Sequence, residues 1–270
     1  MGAQGDLFSA CGFFIGPPRP AAPALQACET LDDRSLLAAL DGARRARTVA
    51  ICAEIATRRV SGAVPALEAL CRRFLGYGVE RAVPEQIAAL GALEALGGSA
   101  AADALARIIA QGVVQGPGLR QAMRVATALG FALPNDAVLR LLRHDEPEIR
   151  AAACRFAGSA ASPEIVAALA ALLDELHAEV REAAAIALGR VGRFEARAPL
   201  LALLDRKPSA EIIEALAPIA DEDCVILLGR VARKNRELRL TVLAALDAID
   251  HPRAETLATA LRCAEAGLAP

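Results

Sequence analysis

Histidine and cysteine are the residue types in this chain that could bind a metal ion or act as nucleophiles. The 270 residues include seven cysteines and three histidines, which are His144, His177 and His251. No two histidines lie four residues apart, no histidine stands beside a glutamate, and no Cys-x-x-Cys pair occurs. Zinc sites and His-Glu metal dyads need such close spacing, so the sequence predicts no metal and no other cofactor.

The cysteines also lack the surroundings of a catalytic nucleophile. The sequence contains no Gly-x-Ser-x-Gly segment, no cysteine with a histidine at an informative spacing and no glycine-rich phosphate loop. Cys52, Cys71 and Cys154 fall in apolar helical patterns and are predicted to be core residues, whereas Cys11 is expected to be exposed. We therefore predict a protein that is not an enzyme. An odd, dispersed set of cysteines without an export signal predicts a reducing, cytoplasmic location.

The amino-acid composition indicates which secondary structure the chain forms. The chain is 55% hydrophobic, rich in alanine and leucine, and has a net charge of −2. Such a composition favours helices over sheets. The near-neutral charge gives no general attraction to nucleic acid or to an anionic membrane. No stretch of about 18 uncharged apolar residues occurs, so no membrane insertion is expected.

Two neighbouring segments of the chain are nearly the same. Residues 146–174 read EPEIRAAACRFAGSAASPEIVAALAALLD, and residues 177–205 read HAEVREAAAIALGRVGRFEARAPLLALLD. The positions that correspond at an offset of 31 are Ile149 and Val180, Arg150 and Arg181, Ala153 and Ala184, Leu169 and Leu200, and Asp174 and Asp205. A looser copy follows near Arg239. A period near 31 from about residue 43 to 262 accommodates about seven units and indicates a repeat protein.

Each unit has the pattern of a helix, a turn and a second helix. One face of the first helix in the clearest unit carries Val180, Ala184, Ala187 and Leu188. Gly189 is predicted to end this helix in a left-handed conformation, and Pro163 and Pro199 lie near the starts of second helices. Two helices cannot bury their apolar faces alone, so neighbouring units are expected to stack.

The repeat resembles the HEAT family, in particular a short bacterial subtype first associated with phycobilisome lyases. The resemblance depends on the V-R-x-x-A-A-x-A-L-G run from Val180 to Gly189 and on the P-L-L-x-L-L-D run from Pro199 to Asp205. It implies an all-α fold, a right-handed α-α superhelix of about seven two-helix repeats over residues 31–270. It also implies a scaffold, adaptor or assembly factor that binds a protein or peptide in a bacterial cytoplasm.

The recurring charged residues have a structural interpretation in this family. In such stacks, an aspartate that ends one unit and an arginine that opens the next commonly connect neighbours. The resemblance therefore implies ties between Asp145 and Arg150 and between Asp174 and Arg181, with Asp205 and Arg239 in corresponding places. Recurrence in every unit favours packing over ligand binding.

The second helices are the candidate binding surface, because they line the concave face of HEAT stacks. PEIVAALAALLD (163–174) carries charges only at Glu164 and Asp174. Such a helix is either packed on all sides by neighbours or exposes an apolar groove for a partner helix or peptide. The candidate partner-binding residues on the second helices are Arg107, Arg140, Ala168, Ala171 and Arg197. Two arginine clusters, at residues 44–73 and 230–239, are expected mainly in first helices and turns.

Residues 1–30 do not follow the repeat and are predicted to form an aperiodic N-terminal arm. Its candidate partner-binding residues are Gln4, Asp6, Leu7, Phe8, Phe13 and Phe14. One interpretation is an apolar cap on the first repeat. The other starts from residues 4–8, which resemble the pentapeptide that binds the bacterial sliding clamp, except for Gly5 in place of an apolar residue.

Two alternatives to a scaffold remain open at this stage. The first is an enzyme subunit like the phycobilin lyases, which would need a pocket for a tetrapyrrole. The second is a DNA-repair-associated factor that docks on the sliding clamp. The arginine clusters and residues 4–8 support this alternative. Nucleic-acid binding is not favoured, since one Tyr and no Trp leave few side chains for base stacking. The sequence makes no prediction of the oligomeric state.

Overall fold

The computed structural model describes residues 28–158 and 161–265, and these residues form fifteen α-helices and no strand. The prediction of an all-α protein is confirmed. The helices are α1 Asp33–Leu40, α2 Arg45–Arg58, α3 Val64–Arg73, α4 Pro84–Leu96, α5 Gly98–Ala110, α6 Gly116–Leu129, α7 Asn135–Leu142, α8 Pro147–Cys154, α9 Pro163–Ala171, α10 Ala178–Arg190, α11 Arg197–Arg206, α12 Ala210–Leu216, α13 Glu222–Lys234, α14 Arg239–Ala248 and α15 Pro252–Glu265. Short 3-10 turns follow or precede several of them, including Leu172–Asp174 after α9 and Phe194–Ala196 before α11.

The helices follow one another as pairs along the chain. From α2 to α15 there are seven successive pairs within the described ranges, which begin at Arg45 and end at Glu265. This agrees with the predicted start near residue 43 and with about seven two-helix units. The chain divides into two compact units, Met1–Phe131 and Ala132–Pro270, a division that the repeat pattern does not predict.

In the first unit, alternate helices form two layers. Helices α2, α4 and α6 pack side by side, and α1, α3 and α5 pack against them as the second layer. Leucine and isoleucine side chains, among them Ile51, Leu67 and Leu90, fill the space between the layers and are fully buried. Gln86 is also buried there, and its amide donates to the carbonyl oxygen of Cys71 at 3.0 Å.

The second unit repeats this arrangement with the helices of the clear repeats. The first helices α8, α10, α12 and α14 form one layer, and α7, α9, α11, α13 and α15 form the other. The predicted core face of α10 is confirmed, since Val180, Ala184, Ala187 and Leu188 are all buried. The alanines on this face let neighbouring first helices approach closely, which is how a pair of helices obtains the apolar cover that it lacks alone.

The prediction that Gly189 ends helix α10 in a left-handed conformation is wrong. Helix α10 continues to Arg190, and the left-handed residue after it is Gly192, with φ at 79°. Gly189 lies inside the helix, where a Cβ atom would stand 2.5 Å from the carbonyl oxygen of Ala215 and 2.6 Å from Cδ1 of Leu200. Glycine is therefore required here by the close approach of α12, and the turn itself is made three residues later.

The arginine clusters lie mainly in first helices and turns, as predicted, with Arg45, Arg47 and Arg58 in α2 and Arg239 in α14, but five of their members lie elsewhere. Arg72 and Arg73 belong to α3, and Arg230, Arg233 and Lys234 belong to α13. Both helices are the second members of their pairs.

Candidate functional site

A groove of about 780 Å³ opens on the second unit between α7, the following loop and α9. Its floor is formed by Ala167, Ala168 and Ala171 of α9 together with Leu142 and Leu172. The groove lies at the start of the clearest repeats, where the first helix α8 is short and ends at Cys154. This concave surface carries two residues predicted as part of a binding face, Ala168 and Ala171.

Helix α9 packs against the core with one face and exposes the opposite face in the groove. Ile165 and Leu169 on one face are buried, whereas Ala167 and Ala171 on the other face are exposed. The sequence left two alternatives for this helix, either burial on all sides or an exposed apolar groove. The structure shows one buried face and one exposed face, so neither alternative describes the whole helix. Two predicted candidates, Ala168 and Ala171, line the groove.

Arg150 shapes the charged end of the groove. Its Nη1 atom donates to the carbonyl oxygens of His144 at 2.7 Å and Asp145 at 2.8 Å, and its Nη2 atom donates to Oε2 of Glu175 at 2.8 Å. Only 13% of the Arg150 side chain and 18% of the Glu175 side chain are exposed. One side chain thus connects the loop before α8 to Glu175, the residue that follows the 3-10 turn after α9.

Arg181 makes the corresponding contact one repeat later. Its Nη1 atom donates to the carbonyl oxygens of Glu175 at 2.6 Å and Leu176 at 2.8 Å, which are 31 residues beyond the two carbonyls that Arg150 binds. In the first unit, Arg58 in the last turn of α2 also donates to loop carbonyl oxygens, those of Glu29 and Leu31, which lie much farther back along the chain. The tie between repeats is therefore an arginine fork on loop carbonyls.

The predicted tie between Asp145 and Arg150 is present, whereas the predicted tie between Asp174 and Arg181 is wrong, since Arg181 binds the carbonyl oxygens of Glu175 and Leu176. Asp145 contributes its main-chain oxygen, and Asp174 and Asp205 are exposed. Arg239 donates through Nε to the carbonyl oxygen of Ala232 at 3.4 Å. Loop carbonyls at helix ends lack intrahelical partners, and a guanidinium that satisfies two of them also spares the aspartates their desolvation. Sequence reasoning missed Glu175, because the equivalent position in the preceding repeat is His144 and no periodic signal marks it.

Glu175 is held in its charged form by its neighbours. A hydrogen bond from the His177 side chain, at 3.3 Å between Nδ1 and Oε1, is the main cause that lowers the pKa of Glu175. The main-chain N–H of Leu176 and the guanidinium of Arg150 lower this pKa further. The groove therefore carries a permanent ion pair at neutral pH.

We expect this ion pair to make stability depend on pH in the acid range. The folded pKa of Glu175 lies below the unfolded value of about 4.3, so its contribution is fully present above that pH and is lost as pH falls through the folded pKa. Urea unfolding of Glu175→Gln should therefore show a smaller loss of stability between neutral pH and pH 3 than the wild type. Glu214→Gln, at an exposed position of α12, is the control and should keep the wild-type slope. Equal slopes for all three proteins would contradict the assignment.

Two of the other predicted binding residues form ion pairs between helices. Arg107 of α5 donates to Glu68 of α3 through Nη2 at 2.7 Å. Arg197 of α11 pairs with Asp221 at 2.5 Å and with Asp223 at 2.8 Å at the start of α13. Both residues thus connect second helices to each other. Arg140 is exposed on α7. The candidates Gln4, Asp6, Leu7, Phe8, Phe13 and Phe14 lie outside the described residues, as does Cys11.

The described cysteines are mainly core residues. Cys52, Cys71 and Cys154 are buried, as their apolar patterns predict, and burial raises the pKa of each thiol to about 12. Within residues 28–158 and 161–265, no group of three or more His, Cys, Asp or Glu side chains is arranged to hold a metal ion. None of the helices described in these ranges has the length and apolar character needed to cross a membrane.

A few large apolar side chains are exposed. Leu176, which follows Glu175 at the end of the groove, is 90% exposed. In the first unit, Leu75, Tyr77 and Val79 are exposed on the loop after α3. Phe194 is exposed as well, with the guanidinium of Arg197 placed 5.8 Å from its ring centroid. Leu176 is the one that adjoins the groove.

The comparison with protein families matches residues 135–217, from α7 through α12, to HEAT repeats. The match supports, for this part of the chain, the resemblance to HEAT repeats that the sequence indicates. The groove and both arginine forks of the second unit lie within these HEAT repeats. Assignment to the phycobilisome-lyase-like subtype stays a prediction.

No curated protein matches the chain. Among solved structures, the chain is similar to a crystal structure of an engineered protein from the Northeast Structural Genomics Consortium, at 20% identity. The match covers 88% of this chain and 98% of that chain, with a TM-score of 0.30. HEAT repeats are commonly protein-interaction scaffolds.

Proposed function

We propose that the protein is a non-enzymatic interaction scaffold, an adaptor or assembly factor, and that the groove beside α9 binds its protein or peptide partner. The observation that carries this proposal is the open alanine face of α9, which Ala167, Ala168 and Ala171 form beside a fixed ion pair. Methyl side chains let a partner backbone approach closely. Helix α9 has nine residues and a length of about 13 Å, which matches two to three turns of a partner helix.

The charges around the groove favour a protein partner over a nucleic acid. Arg143 and Glu164 carry opposite charges on its rim, and Arg150 is already paired with Glu175. Phosphate binding would need several cations directed at one surface. A mixed rim around an apolar floor is the usual composition of a protein interface.

The reactive side chains near the groove take part in structural contacts. The Nδ1 atom of His144 accepts a hydrogen bond from the main-chain N–H of Glu146 at 3.1 Å. The thiol of Cys154 is buried and lies 3.3 Å from the carbonyl oxygen of Arg150. These contacts support a binding role in which neither side chain acts in chemistry.

Site-specific cross-linking tests the proposal. A photoreactive amino acid at Ala167, which is exposed in the groove, should cross-link to a discrete protein in cells of the native host. The same amino acid at Ala100, an exposed alanine on α5, is the matched control and should give no such product. Adding Ala171→Glu to the Ala167 variant should abolish the product, because a charge then stands on the apolar floor. Equal cross-linking at both positions, or none at Ala167, would contradict the proposal.

A further inference from the structure

Four basic side chains are concentrated where α13 ends. Arg230, Arg233 and Lys234 lie on α13 at a spacing of three and four residues, which places them on one side of the helix, and Arg236 lies in the 3-10 turn that follows. All four are exposed. Within the part of the chain that the structure describes, none of these side chains forms an ion pair or a hydrogen bond. We call these four residues the basic turn.

The basic turn differs from the other helix ends of the second unit, where exposed arginines pair with carboxylates. Arg206 in the last turn of α11 pairs with Glu182, and Arg262 in the last turn of α15 pairs with Asp247. The helix dipole favours basic residues in a last turn. Like charges three and four residues apart on a helix nevertheless repel one another, so their concentration destabilises the free protein. An anionic partner would remove this repulsion.

Two neighbouring side chains fix the backbone of the basic turn. The Nδ2 atom of Asn235 donates to the carbonyl oxygen of Val231 at 3.3 Å, and Nε of Arg239 donates to the carbonyl oxygen of Ala232 at 3.4 Å. Arg239 is thereby used inside the fold and connects the start of α14 to the last turn of α13. A backbone that is already ordered lowers the entropic cost of binding a partner.

The surroundings of the basic turn favour an acidic protein segment over a nucleic acid. Leu240, which follows Arg239 on α14, is 72% exposed and offers an apolar contact beside the cations. The exposed carboxylate of Glu237 lies among them and would repel phosphate groups. Residues 195–265 contain no Phe, Tyr or Trp on which a base could stack. Carboxylates together with an apolar side chain match this surface, whereas a row of phosphates does not.

We infer that the basic turn and Leu240 form a second binding surface, which takes an acidic segment of a partner protein. Its Asp or Glu side chains pair with the four cations, and one of its apolar side chains packs on Leu240. Charge complementarity of this kind steers the partner to the surface and is weakened by salt. The inference goes beyond the proposed function, because no residue of this second surface lines the groove.

Fluorescence anisotropy of the purified full chain tests the surface with a labelled peptide in which glutamates flank a single leucine. Arg233→Glu combined with Lys234→Glu should raise the dissociation constant of this peptide at least about tenfold, because two attractions become repulsions. Arg34→Glu combined with Arg81→Glu is the matched control. It reverses two exposed arginines of the first unit that form no ion pair within the described ranges, and it should leave the dissociation constant unchanged.

Equal losses in the two double variants, or a wild type that does not bind the peptide, would overturn the assignment to this surface. Circular dichroism checks that each variant keeps its helices. If the charge-reversed variant does not fold, Arg233→Gln combined with Lys234→Gln replaces it, since this change removes two charges without adding repulsion. It should weaken binding of the peptide in the same direction by a smaller factor, and unchanged binding would again contradict the inference.

Two further probes test the class of the partner. Leu240→Ser should weaken binding of the peptide, whereas Leu75→Ser, at a leucine of the first unit that is 59% exposed, should not. A short DNA duplex or vesicles of anionic lipid that bind the basic turn more tightly than the peptide would overturn an acidic segment as its partner. Ala171→Glu, in the groove, should leave binding of the peptide unchanged. Failure at the basic turn therefore leaves the proposed function of the groove to its own cross-linking test.

Discussion

Replacement of Gly189 with valine is expected to lower the free energy of unfolding of the second unit by about 3 kcal/mol, the upper end of the usual range for overpacking. The new Cβ atom would stand 2.5 Å from the carbonyl oxygen of Ala215, which belongs to the backbone of α12. This backbone cannot move aside without disturbing its own contacts with α11 and α14. Urea unfolding followed by circular dichroism measures the effect.

Gly229→Val provides the matched control. Gly229 also lies inside a helix of this unit, but a Cβ atom there would meet the end of the Leu257 side chain, with Cδ2 at 2.8 Å. A leucine side chain can change its rotamer, whereas a helix backbone cannot. We therefore expect Gly229→Val to cost less than Gly189→Val. If the two substitutions cost the same, the close approach of α10 and α12 does not explain the glycine.

Gly189 also shows where prediction from the repeat stops. The sequence predicts the helix, its buried face and the glycine near its end, because these depend on residues within one unit. A left-handed cap and a close helix contact both require glycine, and only the position of α12 distinguishes them. The contact between α10 and α12 joins two successive repeat units, so it cannot be predicted from the residues of one unit.

The groove was predictable to the same extent. The sequence predicts that α9 is nearly uncharged and that Ala168 and Ala171 belong to a binding face. Which of its faces is covered depends on the length of α8 and on the place where α7 ends, which are properties of the assembled helices. Glu175 has no counterpart in the neighbouring repeat, so its pairing with Arg150 leaves no periodic trace.

The arginine ties show a different limit. The periodicity correctly marks Arg150 and Arg181 as recurring contacts between repeats. The resemblance to HEAT repeats implied the aspartates as their partners. The structure gives these arginines loop carbonyls instead, because unsatisfied main-chain oxygens at a helix end cost free energy, whereas an exposed aspartate is satisfied by water. The recurring charges thus predict which arginines connect the repeats, but they do not predict that these arginines bind main-chain oxygens.

Arg150→Ala is expected to have the largest effect of any substitution at the groove. It removes three hydrogen bonds, two of them to loop carbonyls and one to the carboxylate of Glu175, which is 18% exposed. A hydrogen bond to a charged group contributes about 1.5–3 kcal/mol, and partial access of water to the loop reduces the sum, so we expect a loss of about 2–3 kcal/mol. The measurement is urea unfolding at neutral pH.

Arg181→Ala is the control that the repeat itself provides. Arg181 binds the two corresponding loop carbonyls, at Glu175 and Leu176, but it is exposed and has no carboxylate partner within the described part of the chain. Its loss should therefore cost about 1 kcal/mol, in line with ordinary exposed hydrogen bonds. The difference between the two variants isolates the contribution of Glu175. In Arg150→Ala combined with Glu175→Gln, most of that difference should be recovered, since no unpaired carboxylate remains at the groove. If the double variant is no more stable than Arg150→Ala alone, an unpaired Glu175 carboxylate is not part of the cost of removing Arg150, and this explanation of the difference is wrong.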